Sequence, residues 1–295
     1  MIMKVFVTSH IHYEIPEFGI YGRDFPAISL TGRSCSLLCK HCYGRLLERM
    51  IPAVTPNELI AVADRLKATG IKGVLVSGGC DYSGRVPFEP FVNALKYMKR
   101  LGFKVFMHTG VVDKYRAQLL KDVGIDLVLI DAVISDKAIK EVIGLNVHPD
   151  TYIDSIKVLK ELGLRVVPHI VVGIYKGLPS DEFKVIDLLA DIRPDAAVVV
   201  VFTPYPGTPL ENVNPPSPRY VSKVISYARR KLDDIPLSLG CMRPRTPNYV
   251  LTEITAINSG FNGIAFPSLQ ALNYMMRLGI NFKVVNECCA SIALP

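Results

Sequence analysis

The sequence predicts an α/β protein built as a (β/α)8 barrel of the TIM type, and three observations carry that expectation. Short β-branched runs recur eight times along the 295 residues. Amphipathic, helix-patterned stretches separate them. Polar and thiol residues collect at the C-terminal ends of the runs, the rim at which such barrels hold their active sites.

The runs are FPAISLTG (25–32), KGVLVSGG (72–79), FKVFMHTG (103–110), DLVLIDA (126–132), LRVVPHIVVG (164–173), DAAVVVVFTP (195–204), IPLSLGC (235–241) and FNGIAFPS (261–268). Near-continuous apolar runs of this length match parallel strands buried on both faces. Between them, TPNELIAVADRLKATG (55–70) opens on Thr55 and Pro56, lines Leu59, Ala63 and Leu66 along one face, and stops at Gly70. The stretches 89–102 and 151–163 repeat that design, and 218–232 does so without the glycine. Residues 1–24 read as an N-terminal extension, 25–280 as the barrel, and 281–295 as a cysteine-bearing tail over the barrel mouth. An open doubly wound sheet is the alternative, but no Gly-rich dinucleotide fingerprint follows the first run.

Hydrophobic residues make up 49% of the chain, enough for a large buried core, and no apolar run approaches the ~20 residues of a membrane span. The N-terminus lacks the h-region and cleavage site of a signal peptide. The expected location is therefore the cytoplasm, with no membrane partner. A net charge of +7 is spread without any Lys/Arg block, so nucleic acid is not an expected partner. The charge suits an acidic partner or an anionic ligand better.

Seven cysteines in an intracellular chain point to metal or redox chemistry rather than a disulfide framework. Cys35, Cys39 and Cys42 stand in CSLLCKHCYG, just past the first run. A structural zinc site needs four ligands, and His41 would have to be the fourth. Four ligands within one such short loop leave little freedom to wrap a tetrahedron. Thiolates also hold iron–sulfur clusters, and a four-iron cluster with three protein ligands keeps one iron open.

Cys-x3-Cys-x2-Cys after the first barrel strand resembles the motif of radical S-adenosylmethionine (SAM) enzymes, with His41 in the position usually held by an aromatic residue. Ser77-Gly78-Gly79 resembles the family's Gly-Gly-Glu stretch, with Cys80 in place of the acid. The resemblance implies a [4Fe–4S] cluster on Cys35, Cys39 and Cys42. Its open iron would chelate SAM, and an electron would cleave SAM to methionine and a 5′-deoxyadenosyl radical. By position in that family, Gly78 and Gly79 would hold the methionine amino group. His41, Val172 and Gly173 would face the adenine, and Thr109 and Asp131 the ribose or methionine carboxylate.

Cys80, Cys241, Cys288, Cys289 and Ser291 remain. Two of these cysteines stand on the rim and two in the tail, so they are candidate ligands of a second iron–sulfur cluster; inert packing is the other reading. Adjacent side chains diverge in an extended chain, so one of Cys288 and Cys289 is expected to ligate, with Ser291 as an oxygen donor. IPLSLGCMRP, FNGIAFPS and TPYPGTPL are similar to stretches of biotin synthases, and among such relatives the chain resembles the archaeal two-component lipoyl synthases. That resemblance implies sulfur insertion into an octanoylated carrier protein or peptide, a second radical SAM component, and an electron donor such as ferredoxin. A radical SAM isomerase or maturase, and an iron–sulfur electron carrier or scaffold, are the competing readings.

Overall fold

The computed structural model describes residues 2–9, 12–22 and 24–295; residues 1, 10, 11 and 23 of the expected N-terminal extension lie outside them. The chain opens with β1 (Met3–Phe6) and a hairpin of β2 (Glu14–Ile15) and β3 (Ile20–Tyr21). There follow β4 (Ala27–Ser29), β5 (Ile51–Pro52), α1 (Pro56–Ala68), β6 (Gly73–Ser77) and α2 (Val92–Arg100). Next come β7 (Lys104–His108), α3 (Lys114–Val123), β8 (Leu127–Ala132), α4 (Thr151–Glu161) and β9 (Val166–Val172). The second half continues with α5 (Glu182–Ile192), β10 (Ala197–Val201), α6 (Pro218–Lys231), β11 (Leu237–Leu239) and α7 (Val250–Asn258). It ends with β12 (Gly263–Ala265), α8 (Leu269–Arg277) and β13 (Phe282–Val285).

Side chains fix the helix starts. Thr55 accepts the Glu58 N–H at 3.2 Å and Asp113 accepts the Arg116 N–H at 2.9 Å, each satisfying an orphan donor of a first helical turn. The strands carry the expected two-faced burial. In β6, Val74 and Val76 are fully buried, while Leu75 and Ser77 on the other face are only partly covered. The helices cover one face of the sheet, and the other lines a lumen.

Among the described residues one parallel sheet has 11 strands, ordered β13-β1-β12-β11-β10-β9-β8-β7-β6-β4-β5. All eight apolar runs of the sequence are strands of it, in chain order from β4 to β12. The barrel-type α/β architecture therefore stands, but the expected closure does not. The sheet curls as a half-barrel whose edges, β5 and β13, do not pair. β5 is only two residues long and contains Pro52, which has no N–H to extend a ladder. β1 and β13, from the segments expected as extension and tail, pair with each other and prolong the sheet beyond β12.

The last nine residues turn inward. Glu287 pairs with Lys104 of β7 at 2.7 Å. The 3-10 turn Cys289–Ala293 then packs against β8, β10, β11 and β12, on the face the helices leave uncovered. Cys289, Ala290, Ser291 and Ile292 are buried there. The tail enters the lumen rather than only covering its mouth.

Candidate functional site

The first cysteine loop leaves β4 and is held by backbone hydrogen bonds rather than by regular structure. The Cys80 carbonyl accepts from Ser36 N–H at 3.0 Å and from Leu37 N–H at 3.1 Å. Lys40 N–H donates to Val142 O at 2.8 Å, tying the loop to a π-helical turn over Ala138–Ile143. Leu38 and Tyr43 take positive φ of 45° and 49°, so the loop reverses twice within six residues. The result brings the donor atoms of Cys39, His41 and Cys42 within 4.8 Å of one another.

The electrostatics divide the thiols of this loop into unequal partners. A hydrogen bond with Cys42, reinforced by burial, pushes the Cys39 thiol far up. Cys42 goes far down, because it accepts from Cys39 and from His41 and Gly44 besides. Burial works most strongly against a charged His41, but its hydrogen bond to Cys42 and the charges of Cys42 and Asp131 together outweigh burial and raise the imidazole. The His41 Nδ1 is buried without a hydrogen-bond partner. Cys35 donates weakly to the Cys80 carbonyl at 3.8 Å and is an electrostatic neighbour of both Cys39 and Cys80.

Gly79 explains how the loop lies so close to β6. A Cβ there would stand 2.5 Å from Cys35 Cα and would overlap the Ser34 carbonyl. Its N–H donates to Thr31 Oγ1 at 2.7 Å, and Thr31 in turn donates to Ser34 O at 2.8 Å. Gly78 is crowded less, with Thr31 and Val86 side chains 3.3 Å from a built Cβ. Cys80 belongs to this same neighbourhood: burial pushes its thiol up to about 12, with Cys35, Asp131 and Cys42 adding to the rise.

The other three spare cysteines lie around the tail turn. Cys289 is hydrogen-bonded to Cys241 and Cys288, and those contacts together with burial hold its thiol protonated. Cys288 is the N-cap of the 3-10 turn and Cys289 its first residue, and the two thiols stay within hydrogen-bonding reach of each other. Ser291 is buried one turn later, its N–H donating to the Cys288 carbonyl at 2.8 Å.

Three further candidates are explained by packing. Thr109 is buried and its hydroxyl donates to Gly110 O at 3.0 Å. Val172 stands three residues after the lumen-facing His169, so alternation turns its side chain to the helix side, where it is fully buried. Gly173 has φ of 75°, and a Cβ there would lie 2.6 Å from Pro216 Cγ. Its N–H donates to the buried Glu182 carboxylate at 2.8 Å. In all three the side chain or the glycine backbone is engaged in packing or local hydrogen bonds, so any contact with adenine or ribose would come through backbone groups or the exposed strand ends.

Asp131 does face the lumen, together with two residues that the sequence did not mark as a set. It pairs in register with His169 of β9, and His108 of β7 pairs with Leu129, two residues before Asp131. Period-two alternation therefore turns all three side chains to the same face. Asp131 Oδ1 lies 3.6 Å from His108 Nε2, and the two imidazoles stack at 5.4 Å between centroids. Burial favours a protonated Asp131, but the hydrogen bond and charge of His108, helped by His169 and His41, hold it down to about 2. Burial pushes His169 down to about 4, and neighbouring His108 adds to the fall. Tyr152, buried at the start of α4, is raised by burial and by the charge of Asp131.

The family model described as the radical SAM superfamily matches residues 29–191, from β4 to α5 and over the whole cysteine loop. The chain belongs to the radical SAM superfamily. It is similar to the biotin synthase of Paramagnetospirillum magneticum, with 26% identity over 68% of this chain and 63% of that protein. The biotin synthase of Rickettsia felis is 24% identical over 68% of this chain and 67% of its own length. The matched stretch thus spans under two thirds of the first of these relatives. In fold the chain is similar to methylornithine synthase, at TM-score 0.58 and 17% identity, covering 88% of this chain and 84% of that one. It is also similar to the FeFe-hydrogenase maturase of Carboxydothermus hydrogenoformans, at TM-score 0.60 and 13% identity, covering 96% and 68%.

Membership in the superfamily implies a four-iron cluster and SAM. The donor set fits the cluster: three cysteines on one loop, two with paired thiols and the third in electrostatic contact with them. The orphaned His41 Nδ1 beside them is a buried donor or acceptor left for a bound group. No helix among the described residues is long and apolar enough to cross a membrane.

Proposed function

We propose that this radical SAM enzyme inserts sulfur into unactivated C–H bonds of an octanoyl-lysine on a carrier protein or peptide, as one component of a two-component lipoyl synthase. One observation carries the reading. Cys289 is hydrogen-bonded to both Cys241 and Cys288 on the tail turn that packs against β8, β10, β11 and β12, whereas Cys39 and Cys42 gather with His41 on the first loop. Two thiol sets in one half-barrel suit two iron–sulfur clusters, one for radical generation and one as sulfur donor.

Bound at the first loop, the cluster and SAM supply reductive cleavage of the sulfonium and hydrogen abstraction from carbon. The protein's own residues hold and shield. Cys35, Cys39 and Cys42 provide the thiolates, with Gly79 allowing the loop to sit on β6. The tail turn buries Cys289 and partly covers Cys241 and Cys288, and shielding of this kind favours tightly held iron–sulfur centres. Arg219, Lys223 and Arg230 line a groove beside α6, a surface of the sign an acidic carrier needs. A second radical SAM component and an electron donor of the ferredoxin type complete the system, and the similarity to biotin synthases supports sulfur chemistry over simple electron transfer.

The test is anaerobic turnover with an octanoylated peptide, SAM, a low-potential reductant and the second radical SAM component. Sulfur-bearing product from the wild type, and its loss in Cys241→Ala with 5′-deoxyadenosine formation retained, is the expected result. Product formation unchanged in Cys241→Ala and Cys289→Ala would remove the second thiol set from the reaction. SAM cleavage with no sulfur in any product would favour an isomerase or maturase instead.

A further inference from the structure

We propose that His108, Asp131 and His169 form a mononuclear site for a divalent first-row transition metal on the inner wall of the half-barrel. The site is distinct from both cysteine sets.

Its geometry follows from the sheet. Three adjacent parallel strands present one donor each at the same level, because Asp131 and His169 are register partners and His108 is offset by two residues along the same face. Neighbouring strands lie about 4.8 Å apart. The three donor atoms accordingly lie within 4.8 Å of one another, close enough to converge on one ion with rotamer adjustments alone.

The second observation is His169 itself. Its side chain is 8% exposed, and its Nδ1 has no hydrogen-bond partner. An orphaned buried imidazole nitrogen costs stability unless something binds it. A purely structural His–Asp contact would satisfy His108 and leave that nitrogen unexplained. Two imidazoles and one carboxylate are a donor set that suits iron(II), zinc and manganese and leaves coordination positions open. Those positions would face the lumen, since the His108 and Asp131 side chains remain 30% and 41% exposed to it. Asp131 is thereby assigned to a metal rather than to SAM.

The experiment uses the full-length protein with its iron–sulfur centres reconstituted and oxidised, so that cysteines are occupied. Manganese(II) is titrated and followed by electron paramagnetic resonance. The expected result is one bound Mn2+ per chain, showing coupling to imidazole nitrogen and displaced by Zn2+, which binds such sites more tightly. His108→Ala and the near-isosteric His169→Gln should each weaken binding tenfold or more, and one equivalent of zinc should disappear with them. Thermal unfolding of each variant checks that it is folded. If neither metal binds, or if both bind equally well to folded His108→Ala and His169→Gln, the proposal is overturned. Nitrogen-free coupling would place the ion elsewhere and overturn it too. Because the readout is metal binding, failure here leaves sulfur insertion untouched, and failure of sulfur insertion leaves this site standing.

Discussion

Gly79 shows how a single missing side chain can control a metal loop. Its Cβ position is already filled by the backbone of Ser34 and Cys35. Gly79→Ala must push the loop off β6, and overpacking of this kind costs about 1–3 kcal/mol. The expected outcome is a lower melting temperature together with less iron retained after anaerobic reconstitution, since the displaced residue is a cluster ligand. Full iron retention would show that the loop can shift without losing its thiolate geometry. At the neighbouring cysteines the expectation is sharper. Replacing Cys35, Cys39 and Cys42 together by Ala should abolish reductive formation of 5′-deoxyadenosine, and any residual activity well above the uncatalysed background would contradict the ligand assignment.

Among the elements, the junction of β11, β12 and α7 holds the rim on which Cys241 stands. Arg243, two residues beyond that cysteine, is fully buried and pairs with Glu253 of α7 at 2.5 Å. Its guanidinium also donates to the carbonyls of Gly240 at 2.6 Å, Ala265 at 2.7 Å and Phe266 at 2.9 Å. One planar cation thus satisfies the ends of two strands at once. Removing its counter-charge leaves a buried, uncompensated cation, so Glu253→Ala should lower stability by about 3–5 kcal/mol. Denaturant unfolding measures this directly, and a loss below about 1 kcal/mol would mean that water reaches the arginine. A Glu253→Gln variant, which keeps the shape and one acceptor, should lie between the two.

For the whole molecule, the tail joins stability to function because it fills the lumen that a closed barrel would not leave open. Deleting residues 287–295 removes the Lys104–Glu287 ion pair, the buried turn and two of the three thiols of the second set. SAM cleavage should persist while sulfur transfer stops, and iron per chain should fall from about eight to about four, the content of one four-iron cluster. Truncated protein with its full iron content would return Cys241, Cys288 and Cys289 to the role of packing. Mass spectrometry under native conditions, with iron analysis alongside, separates these outcomes.

What the sequence by itself determined is local. The eight strands are legible because burial on both faces forces near-continuous Val/Ile runs, as in VVVV at 198–201. The first cysteine set is legible because its ligands lie within one loop, where spacing alone carries the chemistry. The tertiary structure decided the rest. It grouped Cys80 with the first loop and Cys241 with the tail, since a strand order and a curl, not a spacing, set which rim positions meet. It left the sheet open and recruited β1 and β13, because edge pairing depends on backbone groups that composition does not report. Most of all, it assembled His108, Asp131 and His169 from positions far apart in the chain. No local pattern marks them as a set: only the register of three parallel strands turns the three side chains to one level on one face.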